Sequence, residues 1–344
     1  MPLSSEDQLR IQVMFHNNPE AIRIDENRMV LYALTQNGEA SIPLSPNCTN
    51  DNYIKELKGM LAEYTLGSSG GYPIYLKRWS RMGDTEGSHL QKFLLLGEPE
   101  AVVAVANSPA LTIDLAHKAW WAVTNTAEQS EQGLQMLCHE CVVKDSLGVE
   151  IAEYLMEYLP FLVNEEKILA TLSTVLQDGL LSEERVTKIW ERSQDRGKGI
   201  YQIAFLQARV NSLPINSIDL SLELLDKVSN ETSVYALLNA IGISFSSADP
   251  VKLALNKLIL KEREYSEFTE LIDIVDNFIA DESVKYESGN YNNKTDRSEL
   301  ILSQLNEKAA FSYILHSGSV GRSLRKKVSP LFSLIKQHLL KLKS

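Results

Sequence analysis

The sequence has little of what marks a secreted or membrane-spanning protein. It contains only three cysteines in 344 residues, an odd number that is too small for a disulfide framework. Its N-terminus lacks the charged-then-apolar plan of a signal peptide. No apolar run approaches the roughly 18 residues that a bilayer span requires. These absences predict a cytoplasmic protein with reduced thiols and no membrane span.

Familiar catalytic and metal-binding spacings are also missing. The six histidines are scattered, and none forms an H-x-x-x-H or H-E-x-x-H pair. There is no G-x-S-x-G elbow, and no nucleophile stands beside an obvious base. The sequence therefore predicts a protein that is not an enzyme and that holds neither a metal nor a cofactor.

Charge is unevenly distributed along the chain. The net charge of −11 disfavours wholesale binding to nucleic acid. Residues 321–344 nevertheless contain seven Lys/Arg and no Asp or Glu, within a segment of amphipathic helical spacing. Such a basic helix can lie on a membrane, bind RNA, or cap a helical array and dock on the acidic remainder of the chain. The pattern favours capping.

The first 88 residues have the pattern of a small α+β domain. "AIRID" alternates apolar and polar residues, "MVLYAL" is rich in strand formers, and "SIPL" follows the turn signal Asn37-Gly38. These features predict two or three short strands joined as hairpins. "NYIKELKGMLAEYTLG" then has helical spacing and ends at Gly67, a good C-cap residue.

Helical apolar spacing dominates after about residue 90. Three ten-residue stretches share one template: Leu111–Trp120, Leu147–Met156 and Leu181–Trp190. Their spacings of 36 and 34 residues fit a unit of two short helices. The pattern predicts an α-solenoid-like, HEAT-like array, with a non-repetitive bundle as the alternative. Thr112 and Ser182 are the expected N-caps of two of these helices.

We therefore expect a mainly α protein with three parts. Residues 1–88 form the small α+β domain with short β-hairpins, and residues 89–213 form the helical repeat region. Residues 214–344 form a C-terminal helical region with a loop at 287–299 and a basic terminal helix. Asp249-Pro250 is an expected helix start in this last part.

One glycine-rich stretch is a candidate ligand site. "GSSGGYPIYLKRWSRMG", Gly67–Gly83, could form a backbone nest for an anion, with basic side chains adding charge. It is neither a P-loop nor a dinucleotide fingerprint. The alternative is a flexible turn that crosses between the two domains. The candidate ligand-binding residues are Gly70, Gly71, Lys77, Arg78 and Arg81.

Cys138 and Cys141 form a C-x-x-C within "EQGLQMLCHECVVKD", which has mid-helical spacing. A thioredoxin-like redox pair starts a helix after a strand, and a zinc half-site needs a second ligand pair. Neither context is present in the sequence. The pattern favours a plain, mostly buried pair, with thiol redox chemistry as the alternative.

Four longer strings carry a family resemblance: "IRIDENRMVLYALTQNGEA", "LGSSGGYPIYLKRWSRMG", "LLLGEPEAVVAVANSPALT" and "LAHKAWWAV". Taken together they resemble the DsrS family, the sulfur reduction protein that is an accessory protein of sulfur-oxidising bacteria. The resemblance implies a cytoplasmic protein that accompanies the reverse dissimilatory sulfite reductase system. It implies no particular reaction and no site residues.

The leading hypothesis is a non-catalytic cytoplasmic accessory or regulatory protein of dissimilatory sulfur oxidation. It would bind a macromolecular partner, most simply a protein, through its helical surface. RNA binding by the basic C-terminal helix is a further partner prediction. The alternative function is a small-anion or sulfur-compound binding protein or enzyme that uses the Gly67–Gly83 loop.

Overall fold

The computed structural model describes residues 3–67, 87–123, 126–195, 198–227, 231–245, 294–303, 305 and 321–344. The described residues are mainly helical, with one small antiparallel sheet near the N-terminus, as the sequence predicts. Backbone contacts divide the chain into two compact units, Met1–Tyr158 and Leu159–Ser344. This division differs from the three predicted parts, whose boundaries fall after residues 88 and 213.

The sheet of the first unit consists of two consecutive hairpins. Its strands are β1 (Ala21–Asp25), β2 (Val30–Thr35) and β3 (Gly38–Pro43), paired antiparallel in the order β1-β2-β3. The β2–β3 loop has two residues between the paired Thr35 and Gly38. Gly38 adopts φ 113°, a conformation that favours glycine. The hairpin prediction is therefore confirmed.

Helices α1 (Ser5–His16) and α2 (Asn50–Leu66) share a core with the sheet. One cluster of buried side chains includes Ile11 of α1, Ile22 of β1, Leu31 of β2 and Leu57 of α2. Gly67 ends α2 in the left-handed conformation, as expected from the sequence. Helix α1 is absent from the sequence prediction.

The remaining helices of the first unit explain why it extends beyond residue 88. They are α3 (Gly87–Phe93), α4 (Pro99–Ala106), α5 (Ile113–Ala122), α6 (Thr126–Met136), α7 (Glu140–Val143) and α8 (Ser146–Tyr158). Helix α5 packs against β1. The Ile22 backbone N–H of β1 also donates to the Leu94 carbonyl at 2.8 Å. The sheet and these helices are thus tied together in one unit.

The second unit is a layered helical array. Its described α-helices are α9 (Glu165–Val175), α10 (Glu183–Ser193), α11 (Gly199–Ala208), α12 (Ser217–Lys227), α13 (Glu231–Ser244), α14 (Lys294–Ser303) and α15 (Gly321–Lys343). Helices α9, α11, α13 and α14 contact one another in that order. Helices α10, α12 and α15 pack on them from a second layer, with α12 touching α15.

Hydrogen bonds between α9 and the α11 region join positions that are one helix pair apart. Ser173 Oγ donates to Gln207 Oε1 at 2.9 Å, 34 residues along the chain. Arg209 Nε donates to the Leu176 carbonyl at 2.9 Å, 33 residues along. These separations match the predicted repeat length for the stacking of α9 on α11.

The three matched stretches fall in α5, α8 and α10, and the first and third begin two residues before their helices. Thr112 and Ser182 accept N-cap hydrogen bonds from Leu115 N and Arg185 N, which confirms the two predicted caps. The prediction of a loop at 287–299 is wrong for its second half, because α14 begins at Lys294. The charged residues there supply a helix start rather than a coil. Asp249-Pro250 lies outside the described residues.

Candidate functional site

The Gly67–Gly83 candidate can be followed only at its first residue. Gly67 is the C-cap of α2, with its N–H donating to the Glu63 carbonyl at 2.9 Å. The other candidate residues lie outside the described residues: Gly70, Gly71, Lys77, Arg78 and Arg81. An anion site in this stretch therefore stays a prediction.

The cysteine prediction is wrong in two respects. Cys138 and Cys141 are exposed rather than buried. The chain also leaves helical geometry between them, because α6 ends at Met136 and His139 adopts an extended conformation as the N-cap of α7. Apolar residues on both sides of this break preserve helical spacing in the sequence, so the break is hidden there. Within the described residues, Cys138 Sγ donates to the Leu134 carbonyl at 3.4 Å and Cys141 Sγ to the Leu111 carbonyl at 3.6 Å.

The described residues show neither a metal-binding cluster nor a membrane-spanning helix. No group of three or more His, Cys, Asp or Glu side chains there is arranged to hold a metal ion. Among the described helices, none combines the length and apolar character needed to cross a membrane.

The basic C-terminal helix packs within the second unit. Leu331, Ile335 and Leu339 of α15 are buried, and the helix contacts α12 and α14. On its polar side, Lys336 Nζ lies 2.6 Å from Asp226 Oδ1 of α12. Lys343 makes a corresponding ion pair with α12. The apolar stripe is thus covered and part of the basic face is neutralised by acids.

Strand β3 forms an exposed edge of the sheet. The Leu44 N–H donates to the Met29 carbonyl at 2.9 Å, just beyond the β2–β3 ladder. Hydrogen-bonded and non-hydrogen-bonded pairs alternate along an antiparallel ladder. Counting back from Leu44 in the observed register, Glu39 and Ser41 occupy non-hydrogen-bonded positions. Their backbone N–H and C=O groups therefore point away from β2, toward the open side of the sheet.

A groove of about 660 Å³ with both polar and apolar walls runs beside this edge, between α1 and β3. On the α1 side, Leu9 is 62% exposed and Val13 is 55% exposed. On the sheet side, Ala40 and Ile42 pair directly with Ala33 and Leu31, whose side chains are buried in the core. Ala40 and Ile42 therefore face the same side of the sheet as α1. We call this surface the α1–β3 groove.

One charged side chain spans one end of the α1–β3 groove. Arg10 Nη2 of α1 lies 2.5 Å from Glu6 Oε1, and Arg10 Nη1 donates to the Pro43 carbonyl at 3.4 Å. Pro43 has no N–H to offer at the edge, so hydrogen bonding there is limited to its carbonyl. The groove is thus bounded by an arginine that is paired with Glu6 of the same helix, and its other lining residues are uncharged.

The sequence analysis missed this surface because it missed α1. A signal for the helix is present: Ser4 and Asp7 have the S-x-x-D spacing of a helix start, and Ser4 Oγ accepts from Asp7 N at 3.2 Å. Leu9 and Val13 are four residues apart, so they share one face. Which strand forms the open edge follows only from tertiary pairing.

Comparison of the chain with protein-family models, with curated proteins and with solved structures finds no match.

Proposed function

We propose that the protein is a non-catalytic partner-binding protein whose α1–β3 groove receives an extended segment of another protein. The observation that supports this proposal is the open edge of β3 beside two exposed apolar side chains of α1. An added strand pairs its backbone with Glu39 and Ser41. Its affinity comes from main-chain hydrogen bonds, and its specificity comes from alternate side chains.

The groove defines the chemistry of that segment. Side chains of an added strand alternate between the two faces of the sheet. Every second residue of the segment then lies over Leu9 and Val13, continuing the face formed by Ala40 and Ile42. The preferred segment therefore has apolar residues at alternate positions, and it carries no requirement for charge because Arg10 is already paired with Glu6.

The biological setting comes from the sequence. The DsrS-like strings support an accessory role in dissimilatory sulfur oxidation, in the cytoplasm, with the partner belonging to that system. The helical array of the second unit supports the same class of function, because stacked helix pairs offer an extended surface for macromolecules. Fewer basic side chains of the C-terminal helix are left for the predicted RNA contact, because Lys336 and Lys343 pair with acids of α12.

Site-directed photo-crosslinking tests the proposal in cells that oxidise reduced sulfur. A photoreactive side chain replaces Asn37, an exposed groove residue, and in a separate protein it replaces Val149, an exposed valine of α8. We expect a defined protein to crosslink at position 37 and not at 149, and the crosslinked peptide to contain alternating apolar residues. Crosslinking at 149 alone would place the partner elsewhere.

A synthetic peptide with the crosslinked sequence then gives affinities. Val13→Glu puts a charge in the groove and Ser41→Pro removes an outward N–H, so each is expected to weaken binding at least about tenfold. Val149→Glu is the matched control and is expected to change nothing. Circular dichroism checks that the variants fold. Equal affinities for Val13→Glu and Val149→Glu would refute the groove as the binding site.

A further inference from the structure

A second concave site lies on the other side of the first unit. It is a cleft of about 870 Å³ formed by β1, the β1–β2 turn, and residues of α4 and α6. Ligand pockets for small molecules are typically about 300–1,000 Å³. Among its lining residues are Arg23, Tyr32, Glu98, Val102 and Gln132. We call it the Arg23–Gln132 cleft, and it shares no lining residue with the α1–β3 groove.

Two buried nitrogen donors of this cleft have no hydrogen-bond partner among the described residues. They are Nε2 of Gln132 and Nε of Arg23. Gln132 as a whole is only 4% exposed. Buried donors in folded proteins are almost always paired, because an unpaired donor loses its hydrogen bond to water and gains none in the protein. Both belong to residues that line the same cleft.

The Arg23 side chain is held in place by its neighbours. Its guanidinium carbon lies 4.8 Å from the ring centroid of Tyr32 and 4.7 Å from that of Trp121. Nη2 lies 2.9 Å from Glu39 Oε2, which also accepts from Trp121 Nε1 at 2.9 Å. Stacking and the ion pair together fix the plane of the guanidinium. The direction of its Nε–H is therefore set before any ligand arrives.

Other charges at the cleft are already compensated. Lys58 Nζ lies 2.9 Å from Glu26 Oε1 and 3.4 Å from Glu98 Oε2. Arg28 Nε lies 3.8 Å from Asp25 Oδ2. Burial raises the pKa of Glu98, although the Lys58 ammonium opposes this shift. The walls thus offer no surplus of positive charge for a phosphate or another polyanion. What they offer is a pair of oriented donors in a mixed-charge cleft.

We propose that the Arg23–Gln132 cleft binds a small organic molecule whose carbonyl-type oxygens, of an amide or of a monocarboxylate, accept from the unpaired donors Arg23 Nε and Gln132 Nε2. Both functional groups present a planar oxygen acceptor, and neither needs a free cation.

NMR of the isotopically labelled full chain tests this assignment with acetamide, acetate and inorganic phosphate as probes. Acetamide or acetate at millimolar concentration is expected to shift the Gln132 side-chain amide and Arg23 Nε–H resonances. Shifts with acetamide alone identify a neutral amide-type ligand, and shifts with acetate identify a carboxylate. Phosphate is expected to leave both resonances in place. Failure of both organic probes, or an equal response to phosphate, would overturn the proposal.

Variants at two glutamines of α6 separate binding from folding. Gln132→Met keeps the side-chain volume but removes the unpaired donor, so probe affinity is expected to fall at least about tenfold. Because that donor has no partner, the melting temperature is expected to stay level or rise. Gln135→Met, at an exposed position outside the cleft, is the control and is expected to bind normally. Unchanged affinity in Gln132→Met, with the fold intact, would show that the amide only binds water.

Discussion

The buried contact between Asp7 and Tyr53 leads to a quantitative prediction for Tyr53→Phe. Asp7 of α1 is 0% exposed and Tyr53 of α2 is 1% exposed. The Asp7 carboxylate accepts from the Tyr53 hydroxyl and, at 2.9 Å, from the Ser45 N–H, both at Oδ2. Oδ1 has no hydrogen-bond partner within the described residues. Loss of the hydroxyl leaves the buried carboxylate with one hydrogen bond.

The expected size follows from the hydrogen bond that the buried carboxylate loses. Hydrogen bonds to charged groups contribute about 1.5–3 kcal/mol to the free energy of unfolding. Burial and the hydrogen bond to Asp7 raise the Tyr53 pKa to about 12, from an ordinary value of 10.0. This rise reflects the cost of ionising the buried phenol, so it sets the pH dependence of stability and not the cost of removing the hydroxyl. From the lost hydrogen bond to a buried carboxylate, we expect Tyr53→Phe to lower the free energy of unfolding by about 1.5–3 kcal/mol.

The raised pKa also predicts a pH dependence with a definite sign. The folded state favours the protonated phenol, so the stabilisation is complete below pH 10 and is lost as pH rises toward 12. The gap in stability between the wild type and Tyr53→Phe is then constant below pH 10 and closes between pH 10 and 12. The neighbouring Asp7 carboxylate and the Cys48 thiol both raise the pKa in the same direction.

Urea unfolding followed by circular dichroism across this pH range provides the measurement. Tyr64→Phe is the matched control: it lies on the same helix, is half exposed and stacks on Phe15 at 4.9 Å. We expect the control to change stability by less than about 0.5 kcal/mol. A Tyr53→Phe effect as small as that of the control, or a gap that widens above pH 10, would refute the reasoning.

Three further predictions concern packing and thiol access. Gly242→Ala is expected to destabilise the second unit by about 3 kcal/mol in urea unfolding, because the new Cβ would lie 2.0 Å from the Leu305 carbonyl oxygen; a neutral effect would contradict this backbone approach. Gly59→Ala, which meets nothing within 4 Å, is the contrast and is expected to gain about 0.5–1 kcal/mol. Cys138 and Cys141 are exposed and are expected to alkylate nearly as fast in native as in denatured protein, as followed by mass spectrometry; slow native labelling would show that they are shielded.

Features that depend on local sequence could be predicted. The two hairpins follow from alternating strand formers and a turn signal, and the end of α2 follows from Gly67, which is needed in the left-handed conformation. Thr112 and Ser182 cap helices because their side-chain oxygens accept hydrogen bonds from free N–H groups of the first turn. Each of these signals acts over only a few residues, so neighbours in the chain suffice to read it.

The candidate sites depend on contacts between distant residues. Arg23 and Trp121 are 98 positions apart, yet the Trp121 carbonyl and ring both contact the arginine. Gln132 resembles any helical glutamine until its burial against the cleft is known. The open edge of β3 likewise follows from strand order rather than from composition. Such features arise from tertiary structure, so they cannot be predicted from helical periodicity.

Stacking by neighbours has a consequence for how the second unit responds to damage. Helices α9, α11, α13 and α14 contact one another in series, and α14 also packs on α15. A local defect is therefore expected to loosen nearby turns before distant ones. Hydrogen exchange would then rise in steps along the stack instead of everywhere at once. In a stack of this kind some helices unfold locally while the remaining helices stay folded.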